Sequence, residues 1–449
     1  MSRHAMSVTF LIGFLIGSPS SWADNWPQFR GPNAAGVAEG KGLPSEWSSS
    51  QNIRWKVEVP GVAWSSPVVW GDRVFVTTAI SDSPQESPKK GLYFGGDRPA
   101  PRQATYRWEV LCLNRDDGKL LWRRVAVERK PSSSIHIKNS YASETPVTDG
   151  ERLYAYFGAA GLYAYDFDGN LVWKKDLGSF KTRFGWGTAS SPTLDGDRLF
   201  LLNDNEEQSF LVALDKRTGD ELWRSERDEK SSWSTPFVWN NKQRTELVTC
   251  ATKRVRSYDP ATGKLLWELG GMSSICSPTP VASDELLYVS SGYVMDSKRP
   301  LFAVRAGASG DITLSGDQTA NAGVAWCQKL GGAYMPSPVL DGGQVYVLYD
   351  RGFFASFDAM TGRPIYEKQR IEPGAGGFSA SPWAYGGKLF CLNEDGDTFV
   401  IQAGSEFKIL GKNSLDELFM ASPAISGDIL ILRGMNHLYG IDNSSGSAR

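Results

Sequence analysis

A Ser-Pro or Thr-Pro dipeptide, then apolar residues, a tight turn and a second apolar run, recurs eight times along this chain. The copies read SSPVVWGDRVFV, SETPVTDGERLYAYF, SSPTLDGDRLFLL, STPFVWNNKQRTELV, CSPTPVASDELLYV, PSPVLDGGQVYVL, ASPWAYGGKLFCL and ASPAISGDILIL. Their prolines are Pro67, Pro146, Pro192, Pro236, Pro278, Pro338, Pro382 and Pro423, each preceded by Ser or Thr. Proline holds the residue before it in extended geometry, and at the start of a strand its missing N–H costs little. Units this short cannot bury an apolar face alone, so they must stack on copies of themselves.

A second signal follows each first one: an apolar strand, an Asp-containing turn with Gly, and a strand ending in an aromatic. VLCLNRDDGKLLW, YAYDFDGNLVW, VALDKRTGDELW, RSYDPATGKLLW and FASFDAMTGRPIY are examples. Asp and Gly suit such turns because one caps backbone N–H groups and the other accepts positive φ. Each repeat therefore holds four short antiparallel strands, A to D. Four-stranded units of about 40–50 residues repeated radially describe a β-propeller, here all-β with eight blades. The last repeat, LYGIDNSSGSAR, stops after strand C and the Asp442…Gly446 turn. The early segment QNIRWKVEVPG, residues 51–61, alternates Ile53, Trp55, Val57 and Val59 with polar residues, the period of a half-buried strand. It belongs to no repeat of its own. It is expected to supply the missing strand D of blade 8, with Trp55 as its closing aromatic, and so to complete the ring.

The irregular stretches divide the rest. Residues 1–23 read as a signal peptide: Arg3 and His4, the apolar run VTFLIGFLIG, and a cut near Ala23. That run is too short for a membrane span, which needs about 20 residues. The expected location is therefore periplasmic or secreted. Residues 24–50 read as an extended arm anchored by Trp26, Phe29 and Trp47, and 51–449 as the propeller. Blade 1 carries an insertion over about 80–107, between strands B and C, and blade 5 another over about 306–323. The chain has 48 Lys+Arg and 50 Asp+Glu; losing Arg3 leaves 47 against 50, a net −3. That argues against a general nucleic-acid or anionic-membrane binder. Cys112, Cys250, Cys276, Cys327 and Cys391 include no adjacent pair and no CxxC. They read as free buried thiols, and only Cys276 and Cys327 fall in one blade.

The core A-x-D-x-x-T-G-x-x-x-W, carried by Leu214, Asp215, Thr218, Gly219 and Trp223 and again by Asp259, Thr262, Gly263 and Trp267, resembles the pyrroloquinoline-quinone-type propeller repeat. The resemblance runs from about Gln51 to the end and implies one of two roles. One is a quinoprotein dehydrogenase, with the quinone (PQQ) and Ca²⁺ in the central funnel. The other is a non-enzymatic propeller such as the outer-membrane protein assembly factor BamB. The repeat Trp, Thr and Gly are structural in either case.

Dehydrogenases of this kind are expected to show adjacent cysteines against the quinone and a Glu, Asn and Asp set for Ca²⁺, because hard cations take several oxygens. The nearest acidic run, Asp204, Asn205, Glu206 and Glu207, falls between strands B and C and reads as a solvated turn. His136 and His437 are the only histidines after residue 23, and no GxSxG, HExxH or P-loop pattern occurs. No catalytic or metal-binding residue is therefore assigned, and no cofactor is expected outside the dehydrogenase alternative.

What remains is the funnel mouth, where the D-to-A loops converge. These carry Trp64; Lys138, Asn139 and Glu144; Arg183 and Trp186; Trp233; and Tyr334. Cations beside aromatic faces suit an anionic or aromatic ligand. The competing possibility is that Lys138 and Arg183 pair with Glu144 and with backbone carbonyls. The sequence thus points to a monomeric, exported, non-catalytic propeller whose mouth takes an envelope protein, a peptide or an anionic small ligand.

Overall fold

The computed structural model describes residues 25–40, 42–84, 86–93 and 103–443. The expected signal segment 1–23 and the end of the final turn, including Gly446, lie outside them. Eight sheets form the molecule, each built on four antiparallel strands. In blade 1 the order from the axis outward is Val68–Trp70, Arg73–Ser81, Tyr106–Asn114 and Leu120–Arg129. Because the strands alternate in direction, the D-to-A and B-to-C loops share one face, the mouth. The A-to-B and C-to-D turns share the other.

Blade 8 closes as the alternation at 51–61 implied. Ile53–Glu58 pairs antiparallel with His437–Ile441, placing Trp55 opposite Gly440. Trp55 is 7% exposed, and its Nε1–H donates to the Arg115 carbonyl in the C-to-D turn of blade 1 at 2.8 Å. The same stitch recurs from Trp122 to Phe167, Trp173 to Lys216, Trp223 to Pro260 and Trp326 to Ala359. Each of these indoles lies over the glycine of the turn it binds. At Gly118 and Gly362, both at positive φ, an added Cβ would approach the Trp55 and Trp326 rings to 2.8 and 2.5 Å. Trp267 is the exception. The blade 5 insertion replaces that turn, and Trp267 donates instead to the buried Glu246 carboxylate of its own blade. Gly310–Asp311 from the insertion adds a parallel strand beside Trp267–Glu268.

The eight dipeptides have a role beyond starting strands. The pre-proline amide of one blade donates to the pre-proline hydroxyl of the next: Ser66 to Thr145, Thr145 to Ser191, Ser191 to Thr235, Thr279 to Ser337, Ser337 to Ser381, and Ser381 to Ser422, at 2.9–3.2 Å. This requires a hydroxyl at six of the eight positions. It also corrects the register in blade 5. There the pre-proline residue of the ring is Thr279, before Pro280 and strand Val281–Ala282, not Ser277 before Pro278. The two acceptors left over, the Ser66 and Thr279 hydroxyls, are buried without a hydrogen-bond partner among the described residues.

The arm crosses the turn face. Trp26 bridges to Val69 in blade 1, the Pro27 carbonyl accepts from Thr148 in blade 2, and Val37–Ala38 pairs parallel with Ala384–Tyr385 in blade 7. Arg30 is buried on the way and donates to the Pro338 carbonyl at 2.6 Å; burial lowers its pKa to about 9. All five cysteines are buried free thiols. The pair in contact is not the one that shares a blade: the Cys276 thiol reaches Cys250, whose pKa burial, then that contact, push well up.

Candidate functional site

Where the eight strands A begin, the ring encloses a cavity of about 240 Å³. All eight pre-proline residues line it, from Ser66 to Ser422, with Thr279 at the blade 5 position. Above them stand Trp64, His136, Lys138, Asn139, Trp186, Trp233 and Tyr334 from the D-to-A loops. Phe29 of the arm forms the floor. Six of the eight mouth residues singled out by the sequence, Trp64, Lys138, Asn139, Trp186, Trp233 and Tyr334, thus meet around one space.

The other two do not. Glu144 points away from the cavity, between blades 2 and 3, where it accepts from the Thr188 hydroxyl at 2.5 Å. Burial pushes its pKa up to about 7, against the pull of that hydrogen bond. Arg183 donates to the Ser274 carbonyl at 2.9 Å and lies over the Phe184 ring. It is spent on the loops rather than aimed at the axis.

Lys138 does line the cavity, but its charge is met. Its ammonium lies 2.5 Å from the Glu394 carboxylate and 3.0 Å from the Ser379 hydroxyl. Both ends of this pair are buried, at 8% and 0% side-chain exposure. Removing one partner of such a pair would strand a charge in a poor solvent. Lys138 is therefore held internally, as the competing possibility required, although its acid is Glu394 and not Glu144. The aromatics pack closely: Trp186 lies 5.7 Å from Trp233 and 4.9 Å from His136, centroid to centroid, and Tyr293 lies 5.1 Å from Tyr334. The Trp186 indole N–H is buried and has no acceptor among the described residues.

Several residues that build the mouth were not legible in the sequence. Glu394 and Asp350 occupy matching places just after strand B in blades 7 and 6. Each grips the D-to-A loop that enters its own blade, through Ser379 and the Met335 amide respectively. Burial raises the Asp350 pKa to about 6. Asp204, at the same place in blade 3, instead holds the D-to-A loop that leaves its blade, through Ser232, and it forms a fully buried pair with Arg227. The acidic run of blade 3 is therefore not a solvated turn at Asp204. A carboxylate just after strand B was the available signal, and it is visible only once the blades are aligned. Among the described residues, no three His, Cys, Asp or Glu side chains group closely enough to hold a metal ion.

A family model described as outer membrane protein assembly factor BamB matches residues 107–294 and 251–407, more than half of the chain. Solved structures share the fold at low identity. BamB from Moraxella catarrhalis is 12% identical with a TM-score of 0.57, over 88% of this chain and 99% of that one. Quinohemoprotein alcohol dehydrogenase from Comamonas testosteroni is 12% identical with a TM-score of 0.62, over 96% of this chain and 82% of that one. The quinohemoprotein alcohol dehydrogenase ADHIIG from Pseudomonas putida is 11% identical with a TM-score of 0.57, over 95% and 81%. No curated protein matches the sequence.

Proposed function

This chain belongs to the PQQ-like propeller family whose model is described as outer membrane protein assembly factor BamB, and from that premise we propose that it is an exported, non-catalytic interaction scaffold. Its place would be the periplasm or the outside of the cell, as a monomer, with an envelope protein as partner. One observation carries this reading: Lys138, the cation that lines the funnel, is already neutralised by Glu394 inside the protein.

The residues present do not fit a calcium–quinone pair. A hard cation takes six to eight oxygens, several of them carboxylate. Here Glu394 is committed to Lys138, Ser379 and the Gly91 amide, and Asp350 to the Met335 amide. Among the described residues, no carboxylate lines the cavity wall itself. No two cysteines are adjacent in the sequence to stand against a quinone face. An anionic small ligand is likewise poorly served, since Lys138 is paired with Glu394 and Arg183 does not line the cavity.

Two measurements test the reading. Cross-linking and capture from the envelope fraction should recover a specific protein partner. Reconstitution with the quinone and Ca²⁺ should give neither a red-shifted absorbance nor dye-linked alcohol oxidation. Appearance of both would overturn the scaffold reading in favour of a dehydrogenase.

A further inference from the structure

The blade 1 insertion does not stay on blade 1. Lys90 pairs with Asp395 of blade 7 at 2.7 Å, and the Gly91 amide donates to the Glu394 carboxylate at 2.7 Å. The next residue, Leu92, packs among Trp186, Ile275, Tyr293 and Tyr334, in loops that belong to blades 3, 5 and 6. A segment that leaves blade 1, anchors on blade 7 and packs a half-buried side chain against loops of blades 3, 5 and 6 crosses the mouth of the propeller. Three chemistries hold it: an acid for its cation, a carboxylate oxygen for its backbone N–H, and an apolar collar for its leucine. Gly91 sits at φ +99°, a conformation that favours glycine.

We propose that the mouth is a recognition site for an extended protein segment of the form basic–glycine–apolar, and that Lys90, Gly91 and Leu92 are an internal copy of that ligand. This rests on the scaffold reading and names the kind of partner. Charge and shape favour a peptide. Glu394 and Asp395 present oxygens to a cation and an amide, and the collar takes one aliphatic side chain. The chain's own segment leaves one feature unused. The Trp186 indole N–H, on a residue only 5% exposed, has no acceptor while Leu92 is in place. A partner segment that continues further into the collar supplies a backbone carbonyl there. A competing segment must displace one tethered at millimolar effective concentration, so the intact protein binds such ligands weakly until the insertion is drawn aside.

The test uses a labelled peptide of residues 88–93, PKKGLY, and a chain in which residues 83–104 are replaced by Asn-Gly. That turn suits the hairpin, because Ser81 already pairs with Tyr106 and the Asp82 amide with the Thr105 carbonyl. The replaced chain should bind the peptide at least about a hundredfold more tightly than the intact chain. Leu→Ala in the peptide, or Asp395→Asn in the protein, should each weaken capture by about tenfold. A second variant, the full chain with Lys90→Ala and Leu92→Ala, should also bind the peptide better than the intact chain, and it serves if the replaced chain does not fold. Absence of peptide binding by a folded, cooperatively melting variant overturns the inference, as does equal binding by the intact chain. If a variant captures envelope partners but not the peptide, the inference falls and the scaffold reading stands. If it binds the peptide but captures no envelope protein, the inference stands and the scaffold reading falls.

Discussion

Replacing Thr145, Thr235 and Thr279 in turn by Val tests the hydroxyl ring, because each change keeps the side-chain shape and removes only the oxygen. Thr145 Oγ1 accepts from the Ser66 amide at 2.9 Å, and Thr235 Oγ1 from the Ser191 amide at 3.2 Å. Both donors sit on buried residues, so losing the acceptor leaves an N–H with neither protein nor water. That costs about 1–3 kcal/mol, with Thr145→Val towards the upper end because its bond is shorter. Thr279 Oγ1 accepts nothing and is itself buried. Exchanging an unpartnered hydroxyl for a methyl group is neutral or slightly stabilising. With an unfolding entropy of about 2.1 cal/mol/K per residue, a chain of this size loses about 2 °C in melting temperature for about 2 kcal/mol. Urea midpoints and thermal scans of the three variants should therefore separate. Thr145→Val should fall by about 2 °C, Thr235→Val by less, and Thr279→Val should match the parent or exceed it. If Thr279→Val loses as much as Thr145→Val, the ring does not carry the energy assigned to it.

Trp55→Ala should cost about 3–5 kcal/mol, as for other large buried side chains, and removing residues 24–60 should expose the outer edge of blade 8 and cause aggregation detectable by light scattering. Thiol titration of denatured, unreduced protein should return five groups; three would reveal a bridge, and Cys250 with Cys276 is the pair in contact. Glu144 has its pKa raised to about 7 by burial, so the folded state binds its proton more tightly than the unfolded chain. The stability this gives is fully present below about 4.5 and is lost as pH rises through about 7. Glu144→Gln should consequently leave the melting temperature nearly unchanged at pH 5 and raise stability by about 2–3 kcal/mol at pH 8; a variant that follows the parent across this range would refute the assignment.

The sequence reading reached furthest where the information repeats. Eight Ser/Thr-Pro dipeptides and the recurring Asp…Gly…Trp cores specify eight sheets, and a missing strand at one end matched a spare strand at the other. It failed where one copy was ambiguous. CSPTP offers two Ser/Thr-Pro pairs, and only the partner hydroxyl on the next blade selects Thr279 over Ser277. It also failed where contacts join distant parts of the chain. Lys138 meets Glu394 across 256 residues of sequence, and Gly91 meets Glu394 across 303. No local pattern records such a pairing. Glu144 was placed at the mouth because it lies in a mouth loop, but alternation along that loop turns Ser143 and Thr145 to the cavity and Glu144 away from it. The aromatics fared better, because large rings entering a narrow funnel from several loops have little choice but to meet.

The two unlinked hydroxyls fall at the junctions of blades 4 with 5 and 8 with 1, four blades apart, so the ring is made of two half-rings. Each open junction is held by other means. Between blades 4 and 5 the Ser234 hydroxyl donates to the Pro278 carbonyl, and the Trp233 amide to the Cys276 carbonyl. Between blades 8 and 1 the buried Arg433 reaches over and donates to the Ser65 hydroxyl and to the Thr77 carbonyl, at 2.8 and 2.7 Å. That guanidinium is costly to bury: its pKa is lowered to about 9, and its Nε has no partner among the described residues. The cost makes sense at this junction alone. Blade 8 strand D runs on into blade 1 through residues 59–67, but strands A to C of blade 8 come from the other end of the chain, and Arg433, on strand B, ties them to blade 1. Arg433 on the inside and Trp55 on the outside bracket that seam, one binding backbone of blade 1 near the mouth and the other its turn at Arg115. Contacts at both radii of this interface thus add to the pairing of Ile53–Glu58 with His437–Ile441 that closes the ring, while the hydroxyl ring fixes the spacing of the blades within each half.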